Sequence, residues 1–184
     1  MRPKAARTGP QPAPGTLASR VGMSTVFLGL GSNIDAVANI RAGVAALRVR
    51  FGAVRLSPVY RSLAVGFDGA DFLNLAAAID TDVQPLALKD FLNHLEAEHG
   101  RTRDVARYSD RTLDIDILLW GDLYLRLPAL TLPRTEILEC AHVLKPLADL
   151  APGHLHPVAG VTLAELWNGF EGDKSVLTLV DVRF

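Results

Sequence analysis

Between residues 112 and 119 (TLDIDILL) apolar and acidic positions alternate with a period of two. Leu113, Ile115, Ile117 and Leu119 share one parity and Asp114 and Asp116 the other, which predicts a strand with one buried face and a carboxylate pair on the opposite face. Residues 25–30 (TVFLGL) predict a first strand, with Gly31-Ser32-Asn33 as a turn after it. Val37, Ile40, Val44 and Leu47 then recur at helical spacing up to Gly52. Residues 54–61 read as a second strand, its Pro58 marking an edge or a bulge, and residues 71–80 as a third. Pro85 opens a helix whose buried stripe is Leu88, Phe91, Leu92 and Leu95 and which Gly100 ends. Residues 130–133 are a short extended piece. Residues 141–150 are apolar around Pro146 and read as a kinked or late-starting helix. Thr162 and Glu165 have the spacing of a capping box, and residues 175–182 read as a last strand. The order strand, helix, strand, strand, helix, strand is that of an α+β, ferredoxin-like βαββαβ core, an antiparallel sheet with helices packed on one face.

Residues 1–22 hold four prolines and no apolar periodicity, and are expected to be a disordered tail ahead of one domain over 23–184. A start at Met23 would remove them. Charge sharpens this division. The tail carries Arg2, Lys4, Arg7 and Arg20 and no acid. Of 19 Lys and Arg, 15 therefore remain in residues 23–184 against 20 acids, a net charge of −5. That acidic body does not suit general nucleic-acid binding. No apolar run approaches the roughly 18 residues that span a membrane. A single cysteine, Cys140, rules out an internal disulfide framework and suits a reducing cytoplasm. It is read as a small buried side chain rather than a nucleophile.

Candidate chemistry concentrates where positive charge does. Arg101, Arg103, Arg107 and Arg111 fall within eleven residues, just ahead of the Asp114–Asp116 pair. Carboxylates two apart on a strand lie roughly 6.5–7 Å from each other and repel unless a cation answers them. Mg²⁺ takes such oxygens together with substrate phosphates, and guanidinium groups match phosphate oxygens. These are the parts that phosphoryl transfer requires. The alternative is a solvated strand face with Asp–Arg salt bridges. The Gly31-Ser32-Asn33 segment lacks the full P-loop pattern and reads as a plain strand-to-helix connection. Asn74 is polar amid apolar neighbours, so its amide needs partners, from a ligand or from the fold.

Taken together, residues 28–34 (LGLGSNI), 60–62 (YRS), 72–74 (FLN), Glu96 with 100–103 (GRTR), 111–117 (RTLDIDI) and 144–152 (LKPLADLAP) resemble, in order and spacing, the 6-hydroxymethyl-7,8-dihydropterin pyrophosphokinase family of folate synthesis. The resemblance covers nearly all of residues 24–160. It implies transfer of pyrophosphate from ATP to the hydroxymethyl oxygen of a small pterin, with release of AMP, by a cytoplasmic monomer without nucleic-acid or membrane partners. It implies that Asp114 and Asp116 hold two Mg²⁺ ions and that Arg101 and Arg111 stabilise charge during transfer. By the same likeness Arg103, Arg107, Ile117, Thr131 and Arg134 lie on the nucleotide, and Ser62, Val65, Gly66, Phe72, Asn74, Asp114 and His142 form the pterin pocket.

Several positions depart from the family's usual residues. Leu63 and Ala64 replace prolines, Tyr108 a tryptophan and Ser109-Asp110 a Gly-Pro. Arg134-Thr135 takes a histidine-containing nucleotide contact, Ala129 and Cys140 stand where arginine is frequent, and His142 replaces a phenylalanine that stacks on the pterin. These changes leave two alternatives open beside the family reaction: a paralogue acting on another pterin, or a catalytically weak pterin- or nucleotide-binding protein. An RNA-binding module of the same topology would need exposed aromatics on its central strands and a basic sheet face, whereas the most readable strand of this chain carries Asp114 and Asp116.

Overall fold

The computed structural model describes residues 22–63, 69–100 and 112–184. Strand β1 (Ser24–Ser32) leads into helix α1 (Ala36–Phe51), then strands β2 (Val54–Leu56), β3 (Val59–Ser62) and β4 (Phe72–Thr81), helix α2 (Pro85–Glu98) and strand β5 (Asp114–Trp120). Strands β6 (Leu125–Leu127) and β7 (Leu130–Leu132) form a hairpin of their own. Helices α3 (Glu136–Glu139), α4 (Ala141–Leu150) and α5 (Leu163–Asn168) follow, and strand β8 (Leu177–Val180) ends the series. The main sheet runs β5-β1-β4-β3-β8, with β2 also on β4, and every pairing is antiparallel. The expected α+β core, with its first strand central and its carboxylate strand beside it, is therefore present.

Four features differ from the expectation. The segment read as one strand over 54–61 is two, because Pro58 has no N–H for the ladder. Ser57 closes the gap: its N–H donates to the Ala76 carbonyl at 2.9 Å, and its Oγ accepts the Ala76 N–H at 2.8 Å. Gly31 and Ser32 belong to β1 rather than to a turn. The extended piece expected over 130–133 is β7, but it has an unexpected partner in β6, with which it forms a hairpin. Finally, helices cover both faces of the sheet. On one face α1 and α2 supply Ile40, Val44, Leu47, Leu88, Leu92 and Leu95 to the larger core. On the other, Leu144, Leu147 and Ala148 of α4, with Ile137 and Leu163, pack on Phe27, Ala76, Ala78, Leu118 and Leu119. The small side chains of Ala76 and Ala78 let α4 lie close to β4.

Leu119 accordingly lies on the face opposite to that expected. Val26 pairs with Trp120 and Phe27 with Leu119, but Leu28 pairs with Ile117, so Leu118 is an extra residue in β5. A bulge of this kind reverses the parity of everything beyond it. Leu113, Ile115 and Ile117 face α1 and α2, whereas Leu118 and Leu119 both face α4 and Trp120 returns to the larger core. The side chain of Leu118 lies over Gly29, where a Cβ would stand 3.3 Å from its methyl carbons.

The turn between α4 and α5 is built on His156, which is 1% exposed. Its Nδ1 accepts the N–H groups of Val158 (3.3 Å) and Ala159 (3.1 Å). That ring nitrogen must stay unprotonated, and burial, with the neighbouring His154 adding to it, pulls the imidazole below its ordinary range. The unfolded chain, with a histidine near 6.5, then binds a proton that the fold refuses. Stability is fully present above about pH 6.5 and falls as the pH drops below it, at most about 1.4 kcal/mol per pH unit for this group. Urea unfolding between pH 7.5 and 5 checks this. His156→Asn keeps an acceptor but does not titrate, so it is expected to flatten the decline, leaving the share of any other depressed histidine such as His142.

Candidate active site

Residues directly opposite in an antiparallel sheet share a face. Gly31 pairs with Asn74 on one side and with Asp114 on the other, and Asn74 pairs in turn with Tyr60. Asp114, Gly31, Asn74 and Tyr60 thus form one row across four strands, on the face that α4 covers further along. Gly29 pairs with Asp116 and Ala76 in a parallel row, and Phe72 pairs with Ser62 on the far side. At the centre of the first row there is no side chain. Among the described residues, a Cβ on Gly31 would meet only Asn74 Oδ1, at 3.4 Å, and Phe72 Cδ1, at 4.0 Å. The sheet therefore carries a shallow groove floored by glycine, with an amide and an aromatic ring on one side and a carboxylate on the other.

The groove's walls are fixed from beneath. Asn74, 8% exposed, donates from Nδ2 to Ser62 Oγ at 3.0 Å. Ser32 Oγ donates to the carbonyl of Thr112, which ties the start of the carboxylate strand to the end of β1. Asn33 Nδ2 donates to the Ala70 carbonyl at 3.2 Å, holding the return of the 62–70 connection. On the opposite face Glu96 is 4% exposed and accepts the Ile115 N–H at 2.7 Å through Oε1. This bond fixes the residue between the two aspartates. Leu88, Leu92 and Glu96 fall at i, i+4 and i+8, so an acid inside an apolar helical stripe was its visible signal.

Asp116 lies at the outer edge of the site. Arg134 Nη2 sits 3.1 Å from Asp116 Oδ2 and 3.2 Å from Glu136 Oε1. Thr131 is exposed on β7, three residues before Arg134, whose own N–H donates to the Leu118 carbonyl of β5 at 2.9 Å. The structure thus brings Asp114, Asp116, Asn74, Ser62 and Phe72 to one face and Arg134 to its rim. Ile117 does not join them through its side chain, which is buried in the larger core; it offers the site its backbone alone. Val65, Gly66, Arg101, Arg103, Arg107 and Arg111 lie outside the described residues. His142 is partly buried near the start of α4, and burial lowers its pKa against the opposing pull of Glu136. A neutral ring there is a flat stacking surface rather than a cation. Cys140 has its thiol pushed up by burial and by Glu136 and Glu139, which makes it a poor nucleophile.

Two carboxylates with a cation drawn to one of them suit a hard divalent ion. No cluster of three or more metal-ligating side chains stands among the described residues. A metal on Asp114 and Asp116 would share its shell with substrate oxygens, as Mg²⁺ does at nucleotide sites.

Comparison with known proteins shows the family. The model of the family described as 7,8-dihydro-6-hydroxymethylpterin-pyrophosphokinase matches residues 27–152. The chain is 45% identical over 132 residues to the 2-amino-4-hydroxy-6-hydroxymethyldihydropteridine pyrophosphokinase of Pseudomonas aeruginosa, covering 69% of this chain and 80% of that protein. It is 33% identical over 158 residues to the enzyme of the same name from Haemophilus influenzae, covering 84% and 98%. Among solved structures, wild-type Plasmodium falciparum HPPK-DHPS with pteroate superposes with a TM-score of 0.66 at 14% identity. That match covers 83% of this chain and 45% of the longer Plasmodium chain, and it bears on the fold alone.

The glycine floor yields a direct test. A valine at position 31 suits a strand but fills the space between Asn74 and Asp114. Gly31→Val is expected to keep the melting temperature within about 5 °C, a shift of about 1 kcal/mol or less, while weakening 6-hydroxymethylpterin binding at least tenfold in a fluorescence titration.

Proposed function

The chain belongs to the 7,8-dihydro-6-hydroxymethylpterin-pyrophosphokinase family and is a pyrophosphokinase of folate synthesis that uses ATP and a pterin; from that premise we propose how its own residues carry the reaction. The observation that supports the assignment best is the row Asp114–Gly31–Asn74, which sets an amide and a carboxylate on either side of a glycine floor. The pterin ring lies over Gly31. Asn74 and Ser62 read its polar edge, with backbone groups at Val65 and Gly66, and Phe72 and His142 supply flat surfaces for its faces. The hydroxymethyl arm then points along β5 toward Asp114 and Asp116.

The nucleotide enters from the β7 side, past Thr131 and Arg134 and along the Ile117 backbone. Asp114 and Asp116 would hold two Mg²⁺ ions together with ATP, which would supply neutralisation of the phosphate charge. Arg101 and Arg111 answer the charge that spreads over the transferring group, and Arg103 and Arg107 hold the phosphates. Ser32 and Glu96 act earlier, by fixing Thr112 and Ile115 so that the carboxylates are in place before substrates arrive. We assign the reaction to residues 23–184, acting as a monomer in the cytoplasm. No helix among the described residues is long and apolar enough to cross a membrane.

The test is AMP release from ATP and Mg²⁺ by the purified protein, with and without 6-hydroxymethyl-7,8-dihydropterin. Pterin-dependent AMP is expected, and Asp116→Ala is expected to lower it about 10²–10³-fold, as loss of a charge-stabilising group does. AMP formation indifferent to the pterin, or an Asp116→Ala protein with near-full activity, would overturn the assignment.

A further inference from the structure

Arg134 occupies a position with two competing demands. Its backbone N–H is bonded to the Leu118 carbonyl at 2.9 Å, so the residue cannot drift from the edge of β5. Its side chain is less fixed. One nitrogen, Nη2, bridges Asp116 Oδ2 at 3.1 Å and Glu136 Oε1 at 3.2 Å, and all three side chains are about one-third exposed (32%, 39% and 33%). Ion pairs so open to water are weak and exchange readily. Asp116 has further interactions besides this one, so Arg134 is one of its partners and not its sole support.

A divalent cation that takes Asp116 Oδ2 competes with this contact. Metal and guanidinium on one oxygen would share its lone pairs and repel each other across roughly 4–5 Å. Glu136 changes the outcome of that competition. It holds the same nitrogen from the other side, so an arginine displaced from Asp116 is retained at the rim instead of being lost to solvent.

We propose that Arg134 is an exchangeable counter-ion. It sits on Asp116 while the site is empty, leaves that oxygen when a divalent cation arrives, and passes to the phosphates of the nucleotide, with Glu136 as the tether that keeps it in reach. The inference rests on the assignment of Asp116 to a metal and of the site to ATP. Its consequence is positive coupling. Metal alone must displace Arg134 without compensation, whereas metal with nucleotide gives the guanidinium a new partner. Each ligand therefore raises the affinity for the other by the same factor.

The experiment measures Mn²⁺ binding to the nucleotide-free protein by electron paramagnetic resonance. It also measures binding of α,β-methylene-ATP at saturating Mg²⁺ by calorimetry, for wild type, Arg134→Ala and Arg134→Lys. Arg134→Ala is expected to bind Mn²⁺ alone about 2- to 5-fold more tightly, the scale of a screened ion pair, and to bind the nucleotide analogue several-fold more weakly. Arg134→Lys keeps a charge but not the planar guanidinium that matches phosphate oxygens, and should fall between; it carries the test if the alanine protein does not fold. Glu136→Gln is expected to raise the KM for ATP with kcat unchanged, as for a positioning residue. Parallel losses of both affinities, or no change in either, would overturn the proposal. Wild-type AMP release is assayed alongside. Its absence would defeat the functional assignment, whereas AMP release without the opposed shifts would defeat the counter-ion role alone.

Discussion

Two like charges on adjacent same-face positions of a strand are unfavourable in any fold that buries them, and this chain is arranged around that constraint. Asp114 and Asp116 lie on the edge strand of the sheet's first three, not at its centre. Their partner across the ladder is β1, which offers Gly31 and Gly29 and so adds no apolar bulk against them. Beyond Asp116 the bulge at Leu118 turns the strand back into the apolar core, so that two consecutive leucines bury on one face. The carboxylates thus occupy a short polar window between a glycine floor and a hydrophobic plug. Helix α4 covers the sheet from the plug onward and leaves the window open.

Most of the core was legible because it is governed by local periodicity. The alternation of β5 up to Ile117, the Pro85 start and the Thr162–Glu165 capping box appear as expected, and so do the helical stripes of α1 and α2 except at Val37, which is exposed, and Phe91, which is only partly buried. The failures are non-local. A bulge is set by how β5 pairs with β1, so strict alternation put Leu119 on the wrong face. The second helical layer depends on Ala76 and Ala78, which in sequence look like any small apolar run. In the site, Asp114, Asp116 and Asn74 were legible as polar residues in apolar strands. Glu136 was not, because it sits in a one-turn helix with no periodicity to violate, and only the fold brings it to Arg134.

Three of the departures from the family pattern, Arg134, Cys140 and His142, lie on the α3–α4 side, where the structure gives them a common electrostatic setting. Glu136 lies against Arg134, raises the thiol of Cys140 and opposes the lowering of His142. Arginine is replaced at Cys140 yet gained at Arg134, so positive charge is moved along the rim rather than simply lost. A ring is kept at His142, smaller and held toward neutrality by burial. These three changes, separate in the sequence, therefore lie around one carboxylate, and their effects on nucleotide and pterin should not be independent.

Burial sorts the polar residues of the site into two kinds. Ser32, Ser62, Asn74 and Glu96 are 0%, 6%, 8% and 4% exposed and hydrogen-bonded within the fold. In a low-dielectric setting such bonds are strong and costly to break, which suits groups that set positions before a substrate arrives. Arg134, Asp116 and Glu136 are each about one-third exposed, and water screens their attraction. Weak, screened contacts suit groups that must change partners during a reaction cycle, because an ion pair buried as deeply as Glu96 would resist any incoming cation. The placement of β5 produces both kinds at once: its inner backbone is bonded to Glu96 beneath the sheet, while its outer carboxylate opens toward solvent and a replaceable arginine.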